Sequence, residues 1–282
     1  MEFRRFGNTQ RKVSVIGQGT WNLERADRRE AIAALKRGLE LGMNHIDTAE
    51  IYGGGAVEAL VGEALAGNRD EVFLVSKVAP GNATHAGTVA ACEASLRRLR
   101  TDWLDCYLLH WREDVPLADT FAAFEQLHRD GKILSWGVSN FDLQDLEDAR
   151  EAAGSTEGSL VCNQVLYHLN DRGIEHHVLP WCQRNDVAVV GYSPFGNGDF
   201  PEPRSTQGRL LHELAEQHRC TARQIALAFL IRRAPLLAIP KAARPAHTEE
   251  NAGAATVRLS AVDLQRLDVA FPLGPARPIG MI

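Results

Sequence analysis

Asp47, Tyr52, Lys77 and His110 are the residues of this chain best placed for acid–base chemistry, because each ends or closely follows a short apolar run. MNHID (43–47) ends in the aspartate, and the tyrosine stands in the stretch just after it. VFLVSK (72–77) ends in the lysine, and LDCYLLH (104–110) ends in the histidine. Taken singly, an Asp or Lys at the end of such a run is a solvated loop residue, and a His there packs at a rim. Four ionisable groups on three consecutive runs make a more specific pattern: an acid, a base and their charge partners, ready to be gathered. A metal site is the other chemistry that His45, Asp47 and His110 could begin, and it needs several His and carboxylate ligands converging on one ion. Later runs end around Gln164 and Tyr192 instead, which favours proton transfer over ion binding and leaves no metal expected.

The order of the segments says how these ends come together. VSVIG (13–17), MNHID (43–47), VFLVSK (72–77), LDCYLLH (104–110), ILSWGVSN (133–140), SLVCNQ (159–164), VAVVGYS (187–193) and LLAIPK (236–241) are apolar. Amphipathic stretches follow them at 27–41, 56–66, 84–99, 117–128, 142–153, 174–184, 207–218 with 222–231, and 248–254. Continuous Val/Ile/Leu runs are strands buried on both faces, as in parallel sheets. Eight of them, each trailed by a helix, predict the α/β class and a closed (β/α)8 TIM barrel, whose site lies at the C-terminal ends of the strands. Residues 2–13, with the turn Gly7-Asn8, predict an N-terminal β-hairpin plugging the opposite end. Residues 260–271 predict an extra C-terminal helix, capped by Ser260 with Asp263 in its first turn. No repeat or linker divides the chain, so residues 1–282 are expected to form one domain.

Composition narrows the function. The 282 residues would suit two generic domains, but a closed barrel takes about 250 residues as one. A net charge of −5 speaks against nucleic-acid binding, which needs a basic face to replace phosphate counterions. The five cysteines (Cys92, Cys106, Cys162, Cys182, Cys220) form no CxxC pair and read as reduced, mostly buried thiols. The stretch MEFRRFGNTQ has no apolar core of a signal peptide, and no run reaches membrane-spanning length. A soluble, cytoplasmic, monomeric protein acting on a small molecule is expected, without nucleic-acid or membrane partners.

HIDTAEIYG (45–53), VSK (75–77), LLHW (108–111), GVSN (137–140), NQVLYH (163–168), YSPFG (192–196) and IPK (239–241) resemble, in order and spacing, the aldo-keto reductase family. The similarity spans essentially the whole chain. It is nearest in character to the bacterial-type, short-loop members that reduce small aldehydes such as methylglyoxal. The resemblance implies that Asp47, Tyr52, Lys77 and His110 form a catalytic tetrad that reduces aldehydes or ketones with NADPH. It implies that Ser139, Asn140 and Gln164 cradle the nicotinamide carboxamide, that Tyr192 stacks on its ring, and that Gly19, Thr20, Trp21 and Asp47 lie beside the cofactor. The loop 193–198, with Ser193, Pro194, Phe195 and Gly196, would hold the pyrophosphate. Lys241, Ala242, Arg244 and His247 would face the 2′-phosphate, with Glu250 and Asn251 at the adenine. The substrate pocket would be Trp21, Tyr52, His110 and Trp111, with Phe195 and Phe200 as further candidates, while Trp103, Trp136 and Trp181 pack. The chain departs from the pattern at Asn44 and His45, where Arg is common, and at Phe195. It departs again at Ala242, where Ser or Thr is usual, and at His247, where Arg is usual. Those last two weaken the phosphate grip, so NAD(H) is a possible second cofactor. A non-catalytic NADP(H)-binding regulatory subunit on the same fold is the alternative; the intact tetrad disfavours it.

The chemistry is consistent with the residue types. Reducing a carbonyl needs hydride at carbon and a proton at oxygen, hence a general acid. A Lys⁺ held at about 4 Å is worth roughly 4 kcal/mol at an effective dielectric of 20, enough to pull a tyrosine from about 10 toward neutrality. Asp47 would keep Lys77 charged, His110 would orient the carbonyl, and desolvation would oppose the shift. No GxGxxG follows the first apolar run, so a dinucleotide would lie extended over the barrel mouth and not in a Rossmann crevice.

Overall fold

In the computed structural model, which describes residues 1–154 and 159–282, the apolar runs become short parallel strands separated by capped helices. A hairpin of β1 (Phe3–Arg5) and β2 (Lys12–Ser14) comes first. The barrel strands are β3 (Gln18–Gly19), β4 (His45–Asp47), β5 (Phe73–Val78), β6 (Cys106–Leu109), β7 (Trp136–Ser139), β8 (Cys162–Leu166), β9 (Ala188–Tyr192) and β10 (Leu236–Ala238). Each pairs in parallel with the next in sequence. The ring closes where Gly17 N–H donates to Ala238 O (2.8 Å), Ala238 N–H to Val15 O (3.0 Å) and Gly19 N–H to Pro240 O (3.2 Å). A Cβ on Gly19 would lie 2.5 Å from the Ile239 carbonyl oxygen, so closure depends on that glycine.

The helices are α1 (Arg28–Glu40), α2 (Ala56–Ala64), α3 (His85–Leu99), α4 (Leu117–Arg129), α5 (Leu143–Ala153), α6 (Val178–Arg184), α7 (Thr206–His218), α8 (Ala222–Leu230), α9 (Pro245–Gly253) and α10 (Ala261–Ala270). Asp27 caps α1 by accepting from Glu30 N–H. Reciprocal capping boxes open α5 (Asp142/Asp145), α8 (Thr221/Gln224) and α10 (Ser260/Asp263). Such caps satisfy amides left bare at a helix start and contribute ~1 kcal/mol each. Pro245 opens α9 earlier than the apolar pattern suggests, because proline fits the first helical position.

Two apolar clusters follow from strands buried on both faces. One lies between sheet and helices and includes Leu35, Leu60, Phe124, Leu146 and Phe229. The other fills the barrel with Phe73, Val75, Leu108, Val190 and Leu237. The run VSVIG does not serve as the first barrel strand throughout: Val13 and Ser14 pair with Arg4 and Phe3 in the hairpin, so the ladder to β4 begins at Gln18. Asn44 ties hairpin to barrel, its Oδ1 accepting from Ser14 N–H (2.8 Å) and its Nδ2 donating to Lys12 O (3.3 Å). The hairpin turn presses on the barrel's lower end. Gly7, at φ +54°, sits so close to Val161 O that a Cβ could not fit, and Phe6 packs on Phe73 (ring centroids 4.5 Å) and His45 (5.6 Å).

Phe6 is fully buried, so Phe6→Ala should leave a cavity at the barrel's base and cost about 3–5 kcal/mol. Equilibrium urea unfolding should show a clearly lower midpoint. An unchanged midpoint would mean that the hairpin is not part of the core.

Candidate active site

The mouth of the barrel collects a polar group from strand after strand. Asp47 ends β4, Lys77 lies near the end of β5 and His110 follows β6; Ser139 ends β7, Gln164 lies within β8, and Tyr192 ends β9. Tyr52 opens a short helical turn after β4, and the three glycines that follow it, Gly53, Gly54 and Gly55, all take positive φ. Lys77 is completely buried, and its three donors are all used: Asp47 Oδ1 at 2.6 Å, Thr48 O at 2.8 Å and Tyr52 Oη at 3.4 Å. Asp47 is equally committed, since its Oδ2 accepts from Gln164 Nε2 at 2.7 Å. The His110 ring stands edge-on to Tyr52, with centroids 5.8 Å apart. These four side chains meet at the floor of a cavity of about 480 Å³, with Lys77 beneath and the other three lining it.

Burial decides the charge states. It is the largest influence on Tyr52 and raises its pKa; the Lys77 charge pulls the other way, and Asp47 adds to the rise. The lowering that Lys77 alone would give the tyrosine is therefore not what the fold produces. With Asp47 2.6 Å away, the lysine acts on Tyr52 as half of a nearly neutral pair, and a pair offsets desolvation poorly. Burial would drag the Lys77 ammonium down, but Asp47 and then Tyr52 outweigh it and the net direction is up. His110 is pushed down to about 2, first by burial and then by Lys77, so its imidazole is neutral throughout the useful pH range. Its Nδ1 is buried without a hydrogen-bond partner among the described residues.

A second network forms the cavity's polar wall. Asn140, in the left-handed region at φ 62°, donates from Nδ2 to His110 O (3.0 Å) and Ser139 Oγ (3.2 Å). Its Oδ1 accepts from the Tyr192 hydroxyl at 2.8 Å, and burial holds that phenol protonated by raising it to about 12. Ser139 Oγ in turn donates to Gln164 O (2.9 Å). Thr20 is tied to the same level by its hydroxyl, which donates to Asp47 O (2.8 Å).

Of the residues singled out from sequence, Gly19, Thr20, Trp21, Asp47, Tyr52, His110, Trp111, Ser139, Asn140, Gln164, Tyr192, Ser193, Pro194, Phe195 and Lys241 line this one cavity. Gly196, Ala242, Arg244, His247, Glu250 and Asn251 do not. Arg244 stands 3.6 Å from Glu30, the Glu250 carboxylate accepts from Thr221 Oγ1 (2.7 Å), and His247 is exposed on α9. Phe200 stands behind Phe195, the two rings edge-on, with the Arg223 guanidinium 5.5 Å from each. Trp103, Trp136 and Trp181 lie elsewhere. His45 lies at the start of β4 against Phe6 and Phe73, and burial lowers it to about 4. Asn197, within the loop 193–198 read for the pyrophosphate, lines it too, and Asn22, Ile51, Ile239, Met281 and Ile282 also line the cavity and were not singled out from the sequence. Ile51 adjoins Tyr52 and could have been found by proximity. Met281 and Ile282 belong to a tail without periodicity, and nothing in its pattern says that it returns to the mouth.

Residues 15–270 match the family described as the aldo/keto reductase family. The chain is 46% identical over 262 residues to the methylglyoxal reductase YeaE of Escherichia coli, covering 92% of each. It is similar to an aldo-keto reductase from Klebsiella pneumoniae solved in complex with NADPH, with TM-score 0.92, 42% identity and coverage of 100% of this chain and 99% of that one. An aldo/keto reductase from the same organism, solved with NADP and acetate, gives TM-score 0.91 at 42% identity, covering 99% of both chains.

The buried imidazoles give a test that depends on no functional assignment. Both fold with pKa values below the ordinary 6.5, His45 near 4 and His110 near 2. Between pH 6.5 and 4.5 the unfolded chain therefore takes up protons that the folded chain refuses. Stability should hold above pH 6.5 and then fall as pH drops, approaching about 1.4 kcal/mol per pH unit for each group. His168, also lowered by burial, adds a fraction. Urea unfolding at pH 7.5, 6.5, 5.5 and 4.5 measures this slope, and His110→Asn should reduce it by about one proton. An unchanged slope in that variant would show His110 protonating in the folded protein.

Proposed function

The chain belongs to the aldo/keto reductase family, and from that premise we propose that it reduces small aldehydes or ketoaldehydes to alcohols with NADPH, using Tyr52 as the general acid. It is an NADP(H)-dependent oxidoreductase. The observation that carries the catalytic assignment is the saturated lysine: three donors aimed at Asp47, Thr48 and Tyr52 from a fully buried ammonium. Because all eight strand ends feed one mouth, residues 1–282 are read as a single functional unit. The five free thiols, four of them buried, suit a reducing compartment, and a cytosolic monomer is the corresponding reading. Among the described residues no helix is long and apolar enough to cross a membrane.

The donor set fits a nicotinamide. Gln164 spends its Nε2 on Asp47 and keeps Oε1 for an amide N–H, beside Ser139, Asn140 and the Tyr192 ring, all on the cavity wall. The loop 193–198, where Ser193, Gly196, Asn197 and Gly198 take positive φ, would hold the pyrophosphate. Lys241 on the wall, with Arg244 and His247 beyond it, would face the 2′-phosphate. Glu250 and Asn251 would lie nearest the adenine.

Bound NADPH supplies hydride to the carbonyl carbon. Tyr52, kept protonated by burial, gives its proton to the carbonyl oxygen. His110 cannot be that acid: it carries no proton to spare near neutral pH, so it orients the oxygen by a neutral hydrogen bond. Lys77 stabilises the phenolate that Tyr52 becomes, from 3.4 Å and without moving, because Asp47 and Thr48 already hold it. The interaction is stronger after proton transfer than before, which is what lowers a barrier. Solvent at the open mouth then reprotonates Tyr52.

Tyr52→Phe should lower kcat by about 10²–10⁴-fold while NADPH binding, followed by fluorescence, stays close to that of the natural enzyme. More than about a tenth of the original kcat would overturn the assignment. With the tyrosine pKa raised, reduction needs no deprotonation and should stay level through neutrality, whereas alcohol oxidation, which needs phenolate, should climb with pH.

Cofactor choice gives a separate test. An imidazole offers one N–H donor and no permanent charge, whereas Arg presents a charged planar fork. His247→Arg should tighten NADPH by about tenfold, the value of one charge-assisted hydrogen bond, and leave NADH nearly unchanged in fluorescence titrations. Equal tightening of both would show that residue 247 does not face the 2′-phosphate.

A further inference from the structure

We infer that Glu113 makes this site select uncharged carbonyl compounds over those that carry a carboxylate, an inference that rests on the carbonyl-reductase reading above. The cavity wall around Tyr52 and His110 is built from Trp21, Ile51, Trp111, Met281 and Ile282, whose side chains carry no charge. A carboxylate entering there needs a cation or a free donor. Lys77 lies below the floor with its three donors committed. His110 is neutral. Arg112, next to Trp111 in sequence, is bound by Asp145 (2.8 Å) and Asp148 (2.7 Å). Lys241 follows β10, on the side read as the phosphate end.

With the Tyr52 and His110 donors taken by the reacting carbonyl oxygen, the group beside it left to meet a carboxylate is the Trp111 indole, whose ring packs edge-on to His110 with centroids 5.0 Å apart. Its Nε1–H donates to Glu113 Oε1 at 2.9 Å. The donor that could greet an anion is thus already held by one: Glu113 is exposed and outside the lining itself, but its carboxylate stands against the indole of a lining residue. A substrate carboxylate seeking the indole would have to displace Glu113 or lie beside it, and the one lysine among the described residues of the lining, Lys241, follows β10 on the side read as the phosphate end. A neutral aldehyde or ketone meets no such cost, and the apolar wall favours its desolvation. Glu113 is therefore a specificity-determining residue and touches none of the reacting atoms.

A matched pair tests this: 4-carboxybenzaldehyde and its methyl ester, each reduced with NADPH by the full-length enzyme. The ester should be preferred in kcat/KM by about tenfold or more, which is about 1.4 kcal/mol. Glu113→Gln keeps an acceptor for the indole and removes only the charge, so it should cut that preference about tenfold by improving KM for the acid. Glu113→Ala should cut it at least as far. Raising the salt concentration should shrink the preference in the natural enzyme and not in Glu113→Gln, which a merely structural role for Glu113 would not produce. A preference within twofold of unity, or one that Glu113→Gln leaves within twofold, overturns the inference while the reductase reading stands. Turnover of neither aldehyde overturns the reductase reading, and the inference with it.

Discussion

The site is organised around one buried ion pair. Lys77 and Asp47, at 2.6 Å inside the barrel mouth, are both nearly inaccessible to water. Taking two charges out of solvent costs several kcal/mol per ion, and attraction between them offsets this only when the remaining donors and acceptors are satisfied. Here they are: Thr48 and Tyr52 take the other lysine protons, and Gln164 donates to the second carboxylate oxygen. The pair and these partners come from three strands, β4, β5 and β8, and from the stretch that follows β4. The pair is therefore tolerable only in a barrel closed at the right register, and closure rests on the β3–β10 hydrogen bonds and on Gly19 having no side chain.

The same pair sets the electrostatics above it. Because the lysine is neutralised, the floor of the cavity is not a strong cation, and burial governs the neighbouring groups. Tyr52 stays protonated and His110 stays neutral. In the proposed reduction this would divide the labour between them: the phenol would supply the proton and the imidazole would hold position. In the proposed reduction Lys77 would act most once the phenol has lost its proton, its charge favouring the transition state over the resting state.

The inner and outer parts of the proposed cofactor path are built differently. Near the ion pair, Ser139, Asn140, Gln164 and Tyr192 are cross-linked to one another and to the His110 backbone, a pre-organised wall. Further out, at the surface, Arg244 just before α9 stands by Glu30 and Glu250 on α9 accepts from Thr221. If the far end of a dinucleotide lies there as proposed, its binding would exchange those surface contacts, with the nicotinamide end as the rigid reference.

Much of this was legible in the residues themselves. Apolar runs of strand length, buried on both faces and alternating with capped helices, allow few architectures besides a barrel, and Ser260/Asp263 marked the last helix as they stand. Asp47, Lys77 and His110 could be read as neighbours because parallel strands bring their C-terminal ends to one face, a rule of topology that needs no coordinates. The boundary between hairpin and first strand was not legible: Val13 and Ser14 suit either partner, and only the folded hairpin claims them. Nor could the sequence place Met281 and Ile282 at the mouth, since an aperiodic tail carries no signal of where it docks. The sign of the Tyr52 shift was out of reach for a deeper reason. A lysine in sequence is a full positive charge, but in the fold it is half of a pair, and how far burial outweighs that pair depends on distances and solvent access that only the tertiary structure decides.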